Sequence, residues 1–154
     1  MELDRDFSEF IACCVARDVR FLIVGGYALA AHGHPRFTKD LDVWVWLDPD
    51  NADRLIGALD DFGFGSLGLS AADFCEPGMV VQLGHAPKRI DLLTSIDGVT
   101  FDDCWSDHVV LDIRGLAVPF IDVEHLIMNK RASGRLQDLA DVEALSGGDA
   151  DPGE

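Results

Sequence analysis

Apolar residues recur at helical spacing over residues 4–17, where Phe7, Phe10, Ile11, Cys14 and Val15 form one stripe. This predicts an amphipathic helix. A continuous apolar run, Phe21–Val24, follows at strand length and reads as a buried strand. Residues 27–32 form a short Ala-rich helix, closed by Gly33-His34-Pro35. Residues 41–47 make a second strand. Asp48-Pro49 then opens a helix to Phe62, with Leu55, Ile56 and Leu59 as its apolar stripe. Residues 63–68 are a glycine-rich connection and 70–74 a helical turn.

Further along, residues 79–83 and 89–93 pair as a hairpin about His85-Ala86-Pro87, and Thr100 caps a helix over 101–107. A second hairpin joins 109–113 to 116–119 about Arg114-Gly115. Asp122 caps a helix to Ala132, Gly134 breaks it, and 136–145 is the last helix. The Gly-, Asp-, Pro- and Glu-rich tail 147–154 is expected to be disordered, leaving one domain over 1–146. Strands interspersed with helices imply an α/β (α+β) fold. It is expected to be a small mixed sheet with helices packed on one side and a C-terminal helical pair closing over the site.

The alternation in the second strand carries chemistry. Asp40 and Asp42 are two residues apart, so their side chains share one face, while Leu41, Val43 and Val45 face the other way. Trp44 and Trp46 continue the Asp face, which must therefore be covered. Two carboxylates held this close repel unless a cation binds between them, and hard oxygen ligands suit Mg²⁺ (or Mn²⁺). Upstream, Gly25-Gly26 stands between a strand and a helix, where glycine admits a close backbone approach and a helix N-terminus favours an anion. Phosphate at Gly25 and Gly26 and a metal at the Asp pair together describe a site for a nucleoside triphosphate. Arg36 and Thr38 lie on the loop entering the Asp strand, within reach of phosphate. Asp91 interrupts the apolar run Ile90-Asp91-Leu92-Leu93, where a charge is costly unless it is paired or binds a metal.

Composition narrows the partners. The 154 residues hold 28 acidic and 12 basic side chains, a formal charge of −16, which argues against broad binding to nucleic acid or an anionic membrane surface. Seven of the 12 basic residues (Arg36, Lys39, Lys88, Arg89, Lys130, Arg131 and Arg135) fall beside the proposed site elements, so a local positive cleft is expected. An apolar fraction of 48% suffices for a core. Four cysteines without a C-x-x-C pair read as free thiols in a reducing cytoplasm. No apolar run approaches the ~20 residues of a membrane helix.

Gly25-Gly26, thirteen residues, then Asp40-Leu41-Asp42 resembles the signature of the nucleotidyltransferase superfamily of DNA polymerase beta type. The resemblance is closest to small prokaryotic members, including toxin components of toxin–antitoxin pairs. Arg36-Phe37-Thr38-Lys39 is similar to that subgroup, as is Lys130-Arg131-x-x-Gly134-Arg135-x-x-Asp138-x-x-Asp141. The resemblance implies metal-dependent transfer of a nucleoside monophosphate from an NTP to an RNA 3′ end, a protein or a small molecule. It implies Asp91 as the third catalytic carboxylate, Lys130 as the residue reaching the triphosphate, Asp138 as its polar partner, and an antitoxin protein as a partner. Many relatives have Ser after the first glycine. Here Gly26 leaves that contact to backbone amides. A catalytically silent nucleotide- or partner-binding domain is the alternative, and a plain α/β interaction domain the third reading.

Overall fold

The computed structural model describes residues 3–35, 38–85 and 88–150. Its first element is helix α1, Arg5–Ala16, whose N-cap Asp4 accepts a hydrogen bond from the Asp6 N–H. Strand β1, Phe21–Val24, is buried along its whole length. Helix α2, Gly25–Ala31, follows without a break, so the two glycines form its first turn and do not precede it as expected. Strand β2, Asp40–Val45, begins at the first aspartate and ends two residues short of the expected Leu47. Helix α3, Pro49–Phe62, matches expectation at both ends. Asp48 accepts from the Asn51 N–H, proline fills the first turn, and Gly63 closes the helix at φ +103°.

Two 3₁₀ turns, Gly65–Leu67 and Ala71–Phe74, lead to β3, Val80–His85, and β4, Lys88–Leu93. Ala86 and Pro87, the expected hairpin turn, lie outside the described residues. Helix α4, Phe101–Asp107, precedes β5, Val109–Ile113, and β6, Leu116–Phe120. Helices α5, Val123–Ser133, and α6, Leu136–Ala150, close the chain. Helix α6 continues past the expected end at Leu145 into the stretch expected to be disordered. Its backbone ladder tolerates Gly147 and Gly148, at ~1 kcal/mol each relative to alanine. Residues 151–154 of that tail lie outside the described residues.

The strands form one six-stranded mixed sheet in the order β3-β4-β2-β1-β6-β5. Central β1 is antiparallel to β2 and parallel to β6, and β2 is parallel to β4. Both hairpins, β3–β4 and β5–β6, are antiparallel. Leu41, Val43 and Val45 on one face of β2 are fully buried, in a core that includes Phe7, Phe10, Leu55 and Leu59. Edge-to-face rings knit the helices there, Phe7 to Tyr27 at 5.7 Å and Phe10 to Phe62 at 5.4 Å between centroids. Trp44, on the Asp face, meets Phe101 of α4 edge-on at 5.1 Å, which supplies the cover that this face required. Among the described residues no helix is long and apolar enough to cross a membrane.

Candidate active site

The register of three strands builds the site. Asp42 is the Cα partner of Val24 on β1 and of Asp91 on β4, and Asp40 is the partner of Arg89. In a parallel pair, partners share a face, so Asp42 and Asp91 stand side by side, and the two-residue step adds Asp40 to the same face. Asp91 is 8% exposed. Burial and the neighbouring Asp91 and Asp40 carboxylates push the Asp42 carboxyl up to about 7, against the pull of Arg89 and Lys130.

Arg89 accounts for the other two acids. Its Nε donates to Asp91 Oδ1 at 2.7 Å, and its Nη2 donates to Asp91 Oδ2 at 3.1 Å and to Asp40 Oδ2 at 3.0 Å. One guanidinium thus bridges two of the three carboxylates, and Asp42 makes no ion pair within 4.0 Å among the described residues. The sequence showed Arg89 only as a basic residue flanking a strand. Its bridging role depends on the β2–β4 register, which no local pattern encodes.

Gly25 follows directly from the Val24–Asp42 pair. It has φ +68°, and a Cβ there would overlap Asp42 Oδ2. Only glycine lets the chain turn into α2 this close to the carboxylate. A Cβ on Gly26 would fall 2.8 Å from Thr38 Oγ1 and Cγ2, so Thr38 packs onto the second glycine. The C-terminal end of α2 is fixed by His32, whose Nε2 donates to the Ile121 carbonyl at 2.7 Å. Arg36 lies outside the described residues.

Helices α5 and α6 supply the opposite wall. Lys130, 4% exposed, reaches Asp141 Oδ2 at 2.9 Å and Asp138 Oδ1 at 3.6 Å. Arg135 donates from Nε to Asp138 Oδ2 at 2.7 Å. Gln137 donates to the other oxygen of Asp141 at 3.0 Å. Asp141 closes the sequence motif that begins at Lys130, but its ion pair with Lys130, eleven positions away on a different helix, is not assigned by the sequence. The wall is tied to the loop after β4. Asn129 donates to the Asp97 carbonyl at 2.9 Å and Ser133 to Asp97 Oδ2 at 3.2 Å. A cavity of about 210 Å³ lies between floor and wall, lined by Gly25, Asp42, Lys130, Arg135 and Asp138 among others. Asp40 and Asp91 stand beside this cavity, outside its lining, with Arg89.

The three-residue cluster whose ligand atoms approach within 4.8 Å of one another, among the described residues, is elsewhere: Asp107, Asp122 and His125. There Asp122 caps α5 through the His125 N–H and holds the His125 ring, Nδ1 to Oδ1 2.7 Å, which accounts for its geometry.

An acidic floor on paired strands, a glycine helix start pressed against it and a cationic wall across a cavity define a class of α/β protein suited to an anionic ligand that brings a cation with it. The chain belongs to the family described as "Nucleotidyltransferase of unknown function (DUF6036)", whose model matches residues 1–146. Among curated proteins none matches the chain. Solved structures of similar fold include a Thermotoga maritima protein proposed to be a nucleotidyltransferase, with TM-score 0.55 and 14% identity over 97% of this chain and 96% of that one. The lincosamide antibiotic adenylyltransferase LnuA, with lincomycin bound, gives TM-score 0.54 and 13% identity over 94% and 96%. An antigenic nucleotidyltransferase-like protein from Paracoccidioides brasiliensis gives TM-score 0.51 and 18% identity over 91% and 74%.

Proposed function

We propose that the chain transfers a nucleoside monophosphate from an NTP to a hydroxyl and releases pyrophosphate, in the manner of DNA polymerase beta-type enzymes. The observation that supports this reading most is the register of Asp42 with Asp91, beside Gly25 and facing Lys130 across one cavity. Asp40, Asp42 and Asp91 offer hard oxygen donors on one face, the donor set of Mg²⁺ or Mn²⁺, and the upward push on Asp42 is the charge surplus a cation relieves. Asp40, Asp42 and Asp91 would hold such a cation, which would supply neutralisation of phosphate oxygens and activation of the attacking hydroxyl. Gly25 and Gly26 offer backbone N–H groups and clearance to the β- and γ-phosphates, and Thr38 packs against Gly26; Arg36 is the further phosphate contact that the sequence suggests. Lys130 and Arg135 counter the developing negative charge, with Asp138 and Asp141 holding Lys130 in place.

The acceptor classes are an RNA 3′ end, a protein and a small molecule. The charge of −16 and the small-molecule chemistry in LnuA's name favour the small molecule. An RNA or protein acceptor is the setting in which a toxin role with an antitoxin partner, in the cytoplasm, would follow. A second reading, a nucleotide-binding domain without transfer, is favoured by the bridge that Arg89 makes to Asp40 and Asp91.

Incubation with Mg²⁺, each α-labelled NTP and each acceptor class separates the two. Transfer requires label in the acceptor and pyrophosphate release. Asp42→Asn should abolish both nucleotide binding and transfer. Asp91→Asn should spare binding while transfer falls by orders of magnitude, since nucleophile activation is needed only in the transition state. Unchanged Mg·NTP affinity in Asp42→Asn would refute the metal assignment.

A further inference from the structure

The face of β2 that begins with Asp40 and Asp42 continues with Trp44, and Trp46 follows just past the strand's end. Successive residues on one strand face are ~6.6 Å apart, about the reach of a ribose. Over this second half of the face lies another cavity, of about 310 Å³, walled by Trp44, Trp46, Val99 and Phe101. Ser95 borders both this aromatic cavity and the charged one that holds Asp42 and Lys130. The two are neighbours: the lining of one carries Asp42, Asp138, Lys130 and Arg135, and that of the other the rings of Trp44, Trp46 and Phe101.

We propose that the aromatic cavity is the nucleobase subsite, so that an NTP with its phosphates at Gly25 and Lys130 passes its ribose along Leu93–Ser95 and stacks its base against Trp46 and Phe101. The proposal deepens the nucleotidyltransferase reading and rests on it. The cavity volume is in the range of small-ligand pockets, and flat π-faces are the surfaces on which bases stack regardless of identity. The rings are held in place. The Arg20 guanidinium lies over Trp46 at 4.5 Å and over Trp105 at 4.7 Å from the ring centroids, and Phe101 stacks on Trp105 at 5.8 Å. A preset ring costs less ordering entropy when a base binds. At the rim stands Asp102, exposed, its carboxylate making no hydrogen bond among the described residues. A carboxylate accepts from the exocyclic amine of adenine, cytosine or guanine. It repels the two carbonyl oxygens that flank the single N–H of uracil. ATP, CTP and GTP should therefore bind ahead of UTP.

The test is calorimetry on the full chain with two probes, Mg·ATP and Mg·tripolyphosphate, the second lacking ribose and base. Trp46→Ala should weaken Mg·ATP about tenfold or more, the usual loss when one stacking ring is removed, and leave Mg·tripolyphosphate unchanged. Val99→Phe, which fills the cavity from another wall without touching the Arg20 stack, should do the same. It keeps the test open if Trp46→Ala fails to fold. Unchanged Mg·ATP affinity in both variants would overturn the subsite and leave the cavity to the acceptor, as would an equal loss for both probes. Binding of Mg·tripolyphosphate by the wild type in either case keeps the nucleotide reading intact. Binding of neither probe by the wild type would sink that reading, and the subsite with it.

Discussion

Replacing Asp42 by Asn tests the electrostatics of the floor in isolation from any reaction. In the folded chain Asp42 is half-buried beside Asp91 and Asp40, and its carboxyl is pushed up from an ordinary 3.8 to about 7. The sign follows from linkage. Below pH ~4 the group is protonated in both states and costs nothing. Between ~4 and ~7 the unfolded chain gives up its proton while the folded chain keeps it, so stability falls as pH rises. Above ~7 the loss is complete. At ~1.36 kcal/mol per tenfold, the ceiling on that loss is ~4 kcal/mol. The near-isosteric amide removes the ionisation but fits the proton-bearing oxygen's place imperfectly, so a gain of ~2–4 kcal/mol at pH 8 is expected. Urea unfolding in the presence of a chelator, from pH 4 to 8.5, measures it: wild type should lose stability across the window and Asp42→Asn should stay flat. Added Mg²⁺ should restore the wild type at pH 8 and leave the variant unmoved. Parallel pH profiles for the two proteins would refute the reasoning, because Asp42 would then ionise as freely folded as unfolded.

Further substitutions probe the remaining parts of the site. Arg89→Met removes the cation that bridges Asp40 and Asp91. Mn²⁺ affinity without nucleotide, followed by electron paramagnetic resonance, should rise about tenfold, as expected for ~1.4 kcal/mol of relieved competition; a fall would mean the guanidinium orients the carboxylates for the metal. Lys130→Met leaves Asp138 and Asp141 buried with one partner fewer and should cost ~3 kcal/mol in chemical unfolding. Adding Asp141→Asn should recover part of that, and no recovery would argue against the pair. Gly25→Ala forces a Cβ into φ +68° and into Asp42 Oδ2. It should cost more than ~2 kcal/mol and shift Asp42, so an unchanged melting temperature would show that the turn is not constrained as described.

What was legible in the sequence was local. Helix α3 reads off directly because Asp48, Pro49 and Gly63 each carry a terminus signal with its own mechanism. The Asp40–Asp42 pair and the Gly25–Gly26 corner are equally local, since a period of two and a missing Cβ are properties of neighbours in the chain. The start of α2 was not legible, because Gly25 satisfies both a loop and a first helical turn until Val24 is seen paired to Asp42. Asp91 stood out as a charge in an apolar run, but its alignment with Asp42 belongs to a parallel pairing across 49 residues. Arg89 and Asp141 stand in the sequence patterns, but their contacts were not legible for the same reason, each being defined by a partner on another element. The end of α6 was not legible, because glycine and aspartate content points to a break while the cooperativity of a ladder already under way carries the helix on to Ala150.

The place of β1 in the sheet sets a timetable for the site. Its neighbours are β2 on one side and β6 on the other, with Ile23 partnered to Phe120 and the Ile121 N–H bonded to the Ile23 carbonyl. During synthesis, a chain that has emerged only as far as β4 holds the carboxylates and glycines but has an open edge at β1. The strand that seals it, helix α5 with Lys130 and helix α6 arrive last. Contacts of such long range slow the final folding step. The acidic residues of the floor are therefore synthesised well before their cationic wall, and the cavity between them is complete only when α5 and α6 dock.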